Sequence, residues 1–185
     1  RIHKTRRGWH LLYKGDPEEA WEVIDEMWTD LKRSFLFQNQ LIRILACFHR
    51  GRAALAKLSQ ADSWLSRWWL GRIVRASIRR IDKERMDWGE PLSCLLQAQL
   101  AQLDGEHDRA IDLLSSAAES AERQNMMLHH WAARRRQGEL VGGRRGEDMI
   151  EEAQDALRER GVDNPTRMCA MVTASGTTRA RQLPE

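Results

Sequence analysis

The stretch from Cys94 to Ala121, CLLQAQLAQLDGEHDRAIDLLSSAAESA, admits few folds. Leu95, Leu96, Leu100 and Leu103 recur at helical spacing, and Ala98 and Ala101 keep the facing surface thin. Gly105 then breaks the helix, because a residue without Cβ takes the left-handed turn at no steric cost. Beyond it Ala110, Leu113, Leu114, Ala117 and Ala121 rebuild an apolar stripe. Small residues where two helices cross let the backbones approach, and larger ones beside them fill the grooves. The spacing predicts two helices folded back on each other around one tight turn.

The same register occurs a second time. Gly8, Leu11, Gly15, Ala20, Ile24 and Met27 match Ala98, Ala101, Gly105, Ala110, Leu114 and Ala117 at a single constant offset. This internal repeat resembles the tetratricopeptide type, in which each unit of about 34 residues is a helical hairpin. The copies lie more than two such units apart, so the hairpin between them must have longer helices.

Taken in order, hairpins are expected at about 1–32, 35–85, 90–122 and 125–160, followed by a short final helix from Asn164-Pro165. Asp16 and Pro17 after Gly15 mark one helix start, and Gly161 marks a stop. The Gly142 to Gly146 run reads as a turn. The fold class is all-α, a right-handed α-solenoid of tetratricopeptide-like hairpins over 1–172, with a disordered tail at 173–185. Trp64, Leu65, Trp68, Trp69, Ile73, Ile78 and Ile81 give one helix a broad apolar arc, expected to pack between neighbours.

Charge narrows the function classes. The net charge is only +3, from 30 basic and 27 acidic residues, and the signs are mixed along the chain. Three widely spaced cysteines predict free thiols in a reducing cytosol rather than a disulfide framework. No run approaches the roughly 18 apolar residues of a membrane span, and no apolar core follows the basic Arg1 to Arg7. The opening on Arg1, inside an expected helix, reads as a piece cut from a longer chain. Its first hairpin would then leave a stripe with Trp9 and Trp21 bare and prone to self-association.

No convergent nucleophile, base or metal set is visible, so no catalytic, cofactor or metal residues are assigned. His129 and His130 are adjacent and point to different helix faces. The glycines around Arg144 and Arg145 can cradle an anion at a helix start, but helix-turn glycines explain them more simply. Arg72, Arg75, Arg79 and Lys83 share one face at helical spacing. A solvated or intramolecular role outweighs an acidic protein partner there, and that outweighs nucleic acid. Trp68 and Trp69 beside it are candidate anchors for a partner, with packing the better reading for at least one. Asn39, Arg43, Gln97 and His129 are polar positions on first helices that avoid the packing stripe, and are expected to line a concave binding surface.

Three stretches carry a further resemblance: His49 to Ala56 (HRGRAALA), Ala132 to Gly143 (AARRRQGELVGG) and Gly161 to Met168 (GVDNPTRM). In that order they resemble the extreme C-terminus of large multidomain bacterial serine/threonine kinases, where a kinase domain precedes a signal-transduction NTPase module and a long tetratricopeptide-like array. The resemblance covers roughly Gly51 to Met171 and departs at the tail. It implies a cytoplasmic interaction or sensor arm that binds a protein, a peptide or another domain of its own parent. It places no kinase catalytic residue here. Autoregulation of the parent's kinase or NTPase module is the alternative, and nucleic-acid binding through the arginine face the third reading.

Overall fold

A computed structural model describes residues 16–173, and these form eight α-helices with no strand among them. The expected helix over 1–14, the positions Gly8, Leu11 and Gly15 of the repeat match, Trp9, and the tail beyond Thr173 lie outside the described residues. Helix α1 is Pro17–Lys32, α2 Gln40–Leu58, α3 Trp64–Lys83, α4 Glu90–Leu103, α5 His107–Arg123, α6 Met127–Val141, α7 Gly143–Glu159 and α8 Pro165–Thr173.

Local chemistry explains the boundaries. Asp16 caps α1 by accepting the Glu19 amide at 3.1 Å, and Asn39 caps α2 by accepting that of Ile42 at 3.3 Å. Gly105, at φ +83°, ends α4: its amide donates to the Gln102 carbonyl, and the Glu106 amide donates to that of Ala101. This double bond pattern satisfies carbonyls that the helix end would otherwise leave open. The same two bonds close α5 around Asn125 and α7 around Gly161.

Packing follows chain order. Helices α2 and α3, α4 and α5, and α6 and α7 form hairpins, and each hairpin packs on the next. Of the three described pairs of the repeat match, two behave alike, while Met27 is half-buried and its counterpart Ala117 fully buried. Ala20 and Ile24 are buried as Ala110 and Leu114 are. Trp21 is buried as well, in a T-shaped contact with Trp69 (centroids 5.5 Å apart), so it is not the bare ring expected of a cut end.

Two other expectations change. Only Gly142 separates α6 from α7, and Gly146 lies inside α7 as a buried contact rather than in a turn. A Cβ on Gly146 would come within 2.3 Å of the Gly138 carbonyl oxygen, and one on Gly138 within 2.6 Å of that of Gly146. The two helices cross backbone to backbone there. The apolar arc of α3 is also covered only in its second half. Leu70, Ile73, Val74, Ile78 and Ile81 are buried, whereas Trp64, Leu65, Trp68 and Trp69 are exposed. Length is the cause: α3 has 20 residues and its neighbour α4 only 14. At 1.5 Å per residue α3 overhangs by about 9 Å, which is the aromatic segment.

Candidate interaction surface

The overhang leaves one continuous stripe along the outer side of α3. Trp64, Trp68, Arg72, Arg75 and Arg79 follow one another at three- or four-residue steps and so share one side of the helix. All five are exposed, Trp64 by 72% and Trp68 by 55%. From the first to the last is about 22 Å along the axis. The Arg72 guanidinium sits over the Trp68 ring, 4.8 Å from its centroid, which pre-orients both groups.

At its cationic end the stripe runs into a groove of about 360 Å³ between α3, α4 and the α4–α5 turn. Arg75, Arg79 and Arg109 supply cations, Asp104 and Glu106 carboxylates, and Gln97 an amide. Arg109 donates to Glu106 at 2.6 Å, while Arg75 only reaches Asp104 at 3.5 Å. Arg72 and Arg79 form no ion pair among the described residues. An incoming carboxylate therefore meets guanidinium groups whose hydrogen-bonding capacity is largely open.

The sequence-chosen residues do not form one surface. Of the four first-helix positions, only Gln97 borders this groove, where its amide also donates to the Ser93 hydroxyl at 3.1 Å. Asn39 is exposed but engaged as the α2 cap. Arg43 grips both oxygens of Glu84, at 2.7 and 2.8 Å, and donates to the carbonyls of Phe37 and Gln38, tying α2 to the end of α3. His129 is half-buried against the Phe48 ring, and burial, with Arg52 nearby, pushes its pKa down to about 4. Lys83 is exposed one turn beyond Arg79. The structure thus joins the arginine row to Trp64, Trp68 and Gln97, and separates it from Asn39, Arg43 and His129.

One polar centre escaped sequence reasoning. Arg52 is 1% exposed and is the largest fully buried side chain among the described residues; its Nη1 donates to the Met171 carbonyl on α8 at 2.7 Å. Its guanidinium lies 5.0 Å from the Phe48 centroid, and burial lowers its pKa to about 10. Buried His49 is held well below the usual imidazole range by the same loss of solvent, and then by Arg52 and His129. The sequence did carry a signal: Phe48, Arg52 and Leu55 fall on one helix face among alanines and a glycine.

Burial raises the Cys47 and Cys94 thiols to about 11 and that of Cys169 to about 12, away from nucleophilic thiolate. Among the described residues no helix is long and apolar enough to cross a membrane, and no three His, Cys, Asp or Glu side chains are placed to share a metal ion. Comparison with protein-family models, with curated proteins and with solved structures finds no match to this chain.

Proposed function

We propose that this domain is a protein-interaction arm that takes a segment of another protein, or of its own parent chain, along the outer stripe of α3. The observation that carries this reading is the stripe itself. A chain that buries Trp21 and Trp28 leaves two tryptophans, and three arginines after them, open to solvent in a single line. Large rings beside arginine are the residue types that dominate binding energy at protein interfaces. The partner that fits is a segment with apolar anchors followed by acidic side chains. Asp104 and Glu106 on the groove wall oppose a run of phosphates, which ranks nucleic acid below an acidic peptide.

The hairpins are read as units of a right-handed tetratricopeptide-like solenoid. The like burial of Ala20 and Ile24 with Ala110 and Leu114, and the packing of each hairpin on the next, support that reading. The three stretches that resemble the C-termini of bacterial kinases lie on α2, on α6, and on the approach to α8. Arg52 in the first stretch bonds α8, and α6 packs on α8, so they meet in space. This supports a signalling arm in a cytoplasmic kinase-type parent.

A photo-crosslinking side chain at position 68, compared with one at exposed Ser116 on α5, tests the reading in living bacterial cells. The expected result is a protein adduct from position 68 only, mapped to an acidic segment and lost when Arg72 and Arg79 are changed to glutamate. The same adducts from both positions, or nucleic acid as the adduct, would overturn it.

A further inference from the structure

Helix α7 carries the basic row of α3 again with every charge reversed. Arg72, Arg75, Arg79 and Lys83 follow one another on α3 at steps of three, four and four residues. Asp148, Glu151, Asp155 and Glu159 follow on α7 at the same steps, all at one constant offset from the α3 row. That offset also carries Trp68 onto Arg144, and buried Leu70, Ile73, Ser77 and Ile81 onto buried Gly146, Met149, Ala153 and Leu157. In each helix the charged row lies opposite the buried stripe, is exposed throughout, and runs for about 17 Å along the axis. No acidic residue interrupts α3 between Trp64 and Ile81, and no basic one interrupts α7 between Glu147 and Leu157. The net charge of +3 thus conceals two helices with unmixed rows of opposite sign.

Neither row is neutralised inside the chain. Arg72, Arg79, Lys83, Asp148, Glu151 and Glu159 form no ion pair among the described residues. Arg75 reaches Asp104 only at 3.5 Å, and Asp155 accepts from Arg158 at 2.7 Å. All four of those side chains are exposed, and exposed ion pairs contribute little and exchange readily. The rows do not meet within one chain, because α4, α5 and α6 stand between α3 and α7 in the packing order.

We propose that the chain pairs with a second copy of itself, α3 of one copy lying parallel to α7 of the other, row on row. Helices laid side by side in one direction rise equally, so rows of equal step stay level along their length. Arg72 then meets Asp148 of the second copy, Arg75 meets Glu151, Arg79 meets Asp155 and Lys83 meets Glu159. Trp68 meets Arg144, a second guanidinium for a ring that already carries Arg72. Opposite charges aligned in this way fix orientation and register, and reject a shifted or reversed pairing. Each copy offers both rows, so a two-fold pair makes the contact twice. The second copy covers the stripe on which a partner segment is proposed to lie, and pairing therefore withholds the stripe from that segment. The contact needs only the two rows, so it stands or falls apart from the partner reading.

Sedimentation velocity of the full chain tests the pairing. At high micromolar concentration the wild-type chain should be dimeric in low salt and dissociate toward about 1 M salt, where charges are screened within about 3 Å. A triple variant with Arg72→Glu, Arg75→Glu and Arg79→Glu should be monomeric, since both of its rows are acidic. A second, with Asp148→Lys, Glu151→Lys and Asp155→Lys, should be monomeric for the converse reason. An equimolar mixture of the two should dimerise again, because each row then finds its opposite. All six positions are exposed, and thermal unfolding checks that both variants keep the fold. Should either fail to fold, single cysteines decide instead, in a Cys94→Ala background where the other two thiols are buried. Under a short bis-maleimide, chains with Arg72→Cys should crosslink to chains with Asp148→Cys and not to chains with Glu159→Cys, which stand at the far end of the row. A monomeric wild-type chain, dimers that survive either reversal, a folded mixture that stays monomeric, or crosslinking that favours Glu159→Cys would each overturn the proposal.

Discussion

Among the described residues, two arginines lie over the aromatic ring four residues before them. Arg52 lies 5.0 Å from the Phe48 centroid on α2, and Arg72 lies 4.8 Å from that of Trp68 on α3. Locally the pairs are alike, yet Phe48 and Arg52 are each 1% exposed while Trp68 is exposed by 55%. The difference lies in what covers them. Helix α8 closes over Arg52 and supplies a carbonyl, whereas α4 is too short to reach the first turns of α3. One motif makes an internal anchor where a roof exists and a recognition surface where none does.

The largest effect expected is at the covered pair. Arg52→Ala removes a charged hydrogen bond, leaves the Met171 carbonyl without that donor, and opens a cavity, for a loss of about 4 kcal/mol. Arg72→Ala removes an exposed group and should stay within about 0.5 kcal/mol. Chemical denaturation of both variants makes the test direct. A similar loss at the two sites would break the comparison.

Acid should separate the two regions next. His129 has its pKa pushed from 6.5 to about 4, and that of His49 is also lowered. Both are held neutral when folded, beside the Arg52 cation. Between pH 6.5 and 4 the unfolded chain binds more protons than the folded one, so stability is complete above pH 6.5 and falls on acidification. His129 alone contributes on the order of 3 kcal/mol to that fall. Thermal unfolding followed from pH 7 to 4 should show it, and His129→Gln should flatten the curve.

A third perturbation acts on α6, on which α8 packs. Gly138→Ala puts a methyl group within 2.6 Å of the Gly146 carbonyl oxygen, and the backbone on the other side cannot rotate away. Helix propensity offsets part of the strain, leaving a net loss of about 2 kcal/mol by denaturant titration. A neutral or stabilising result would mean that α6 and α7 separate without consequence.

Much of the fold was legible because its punctuation is local. Asp16 before Pro17, Gly105, Gly161 and Asn164-Pro165 each set a boundary by chemistry confined to a few residues, and each boundary falls where that chemistry puts it. The arginine row of α3 was legible for the same reason, as helical spacing alone puts it on one side. Cover was not legible. Whether Trp64 and Trp68 are core or surface depends on the length of α4, which begins more than twenty residues later. Arg52 depends on α8, from which 119 positions separate it at the Met171 bond. Gly146 reads as a turn residue in the sequence because its partner, Gly138, lies on the other side of the real turn.

The smallest expected change in stability carries the functional claim. Trp68→Ala should alter unfolding by less than about 0.5 kcal/mol, since an exposed side chain away from core contacts contributes little. Its ring nevertheless sits midway between Trp64 and the first arginine of the stripe, so any segment that lies along α3 must cross it. An anchor of this kind contributes about 2 kcal/mol or more to binding, roughly a thirtyfold change in affinity. The adduct expected from a crosslinker at position 68 supplies the partner segment, and titrating that segment against Trp68→Ala measures the affinity. A large loss of affinity with an unmoved midpoint of unfolding would establish the uncovered half of α3 as a recognition surface. A loss of stability instead would mean that the ring is covered in solution, and that the overhang of α3 over α4 does not leave this segment open.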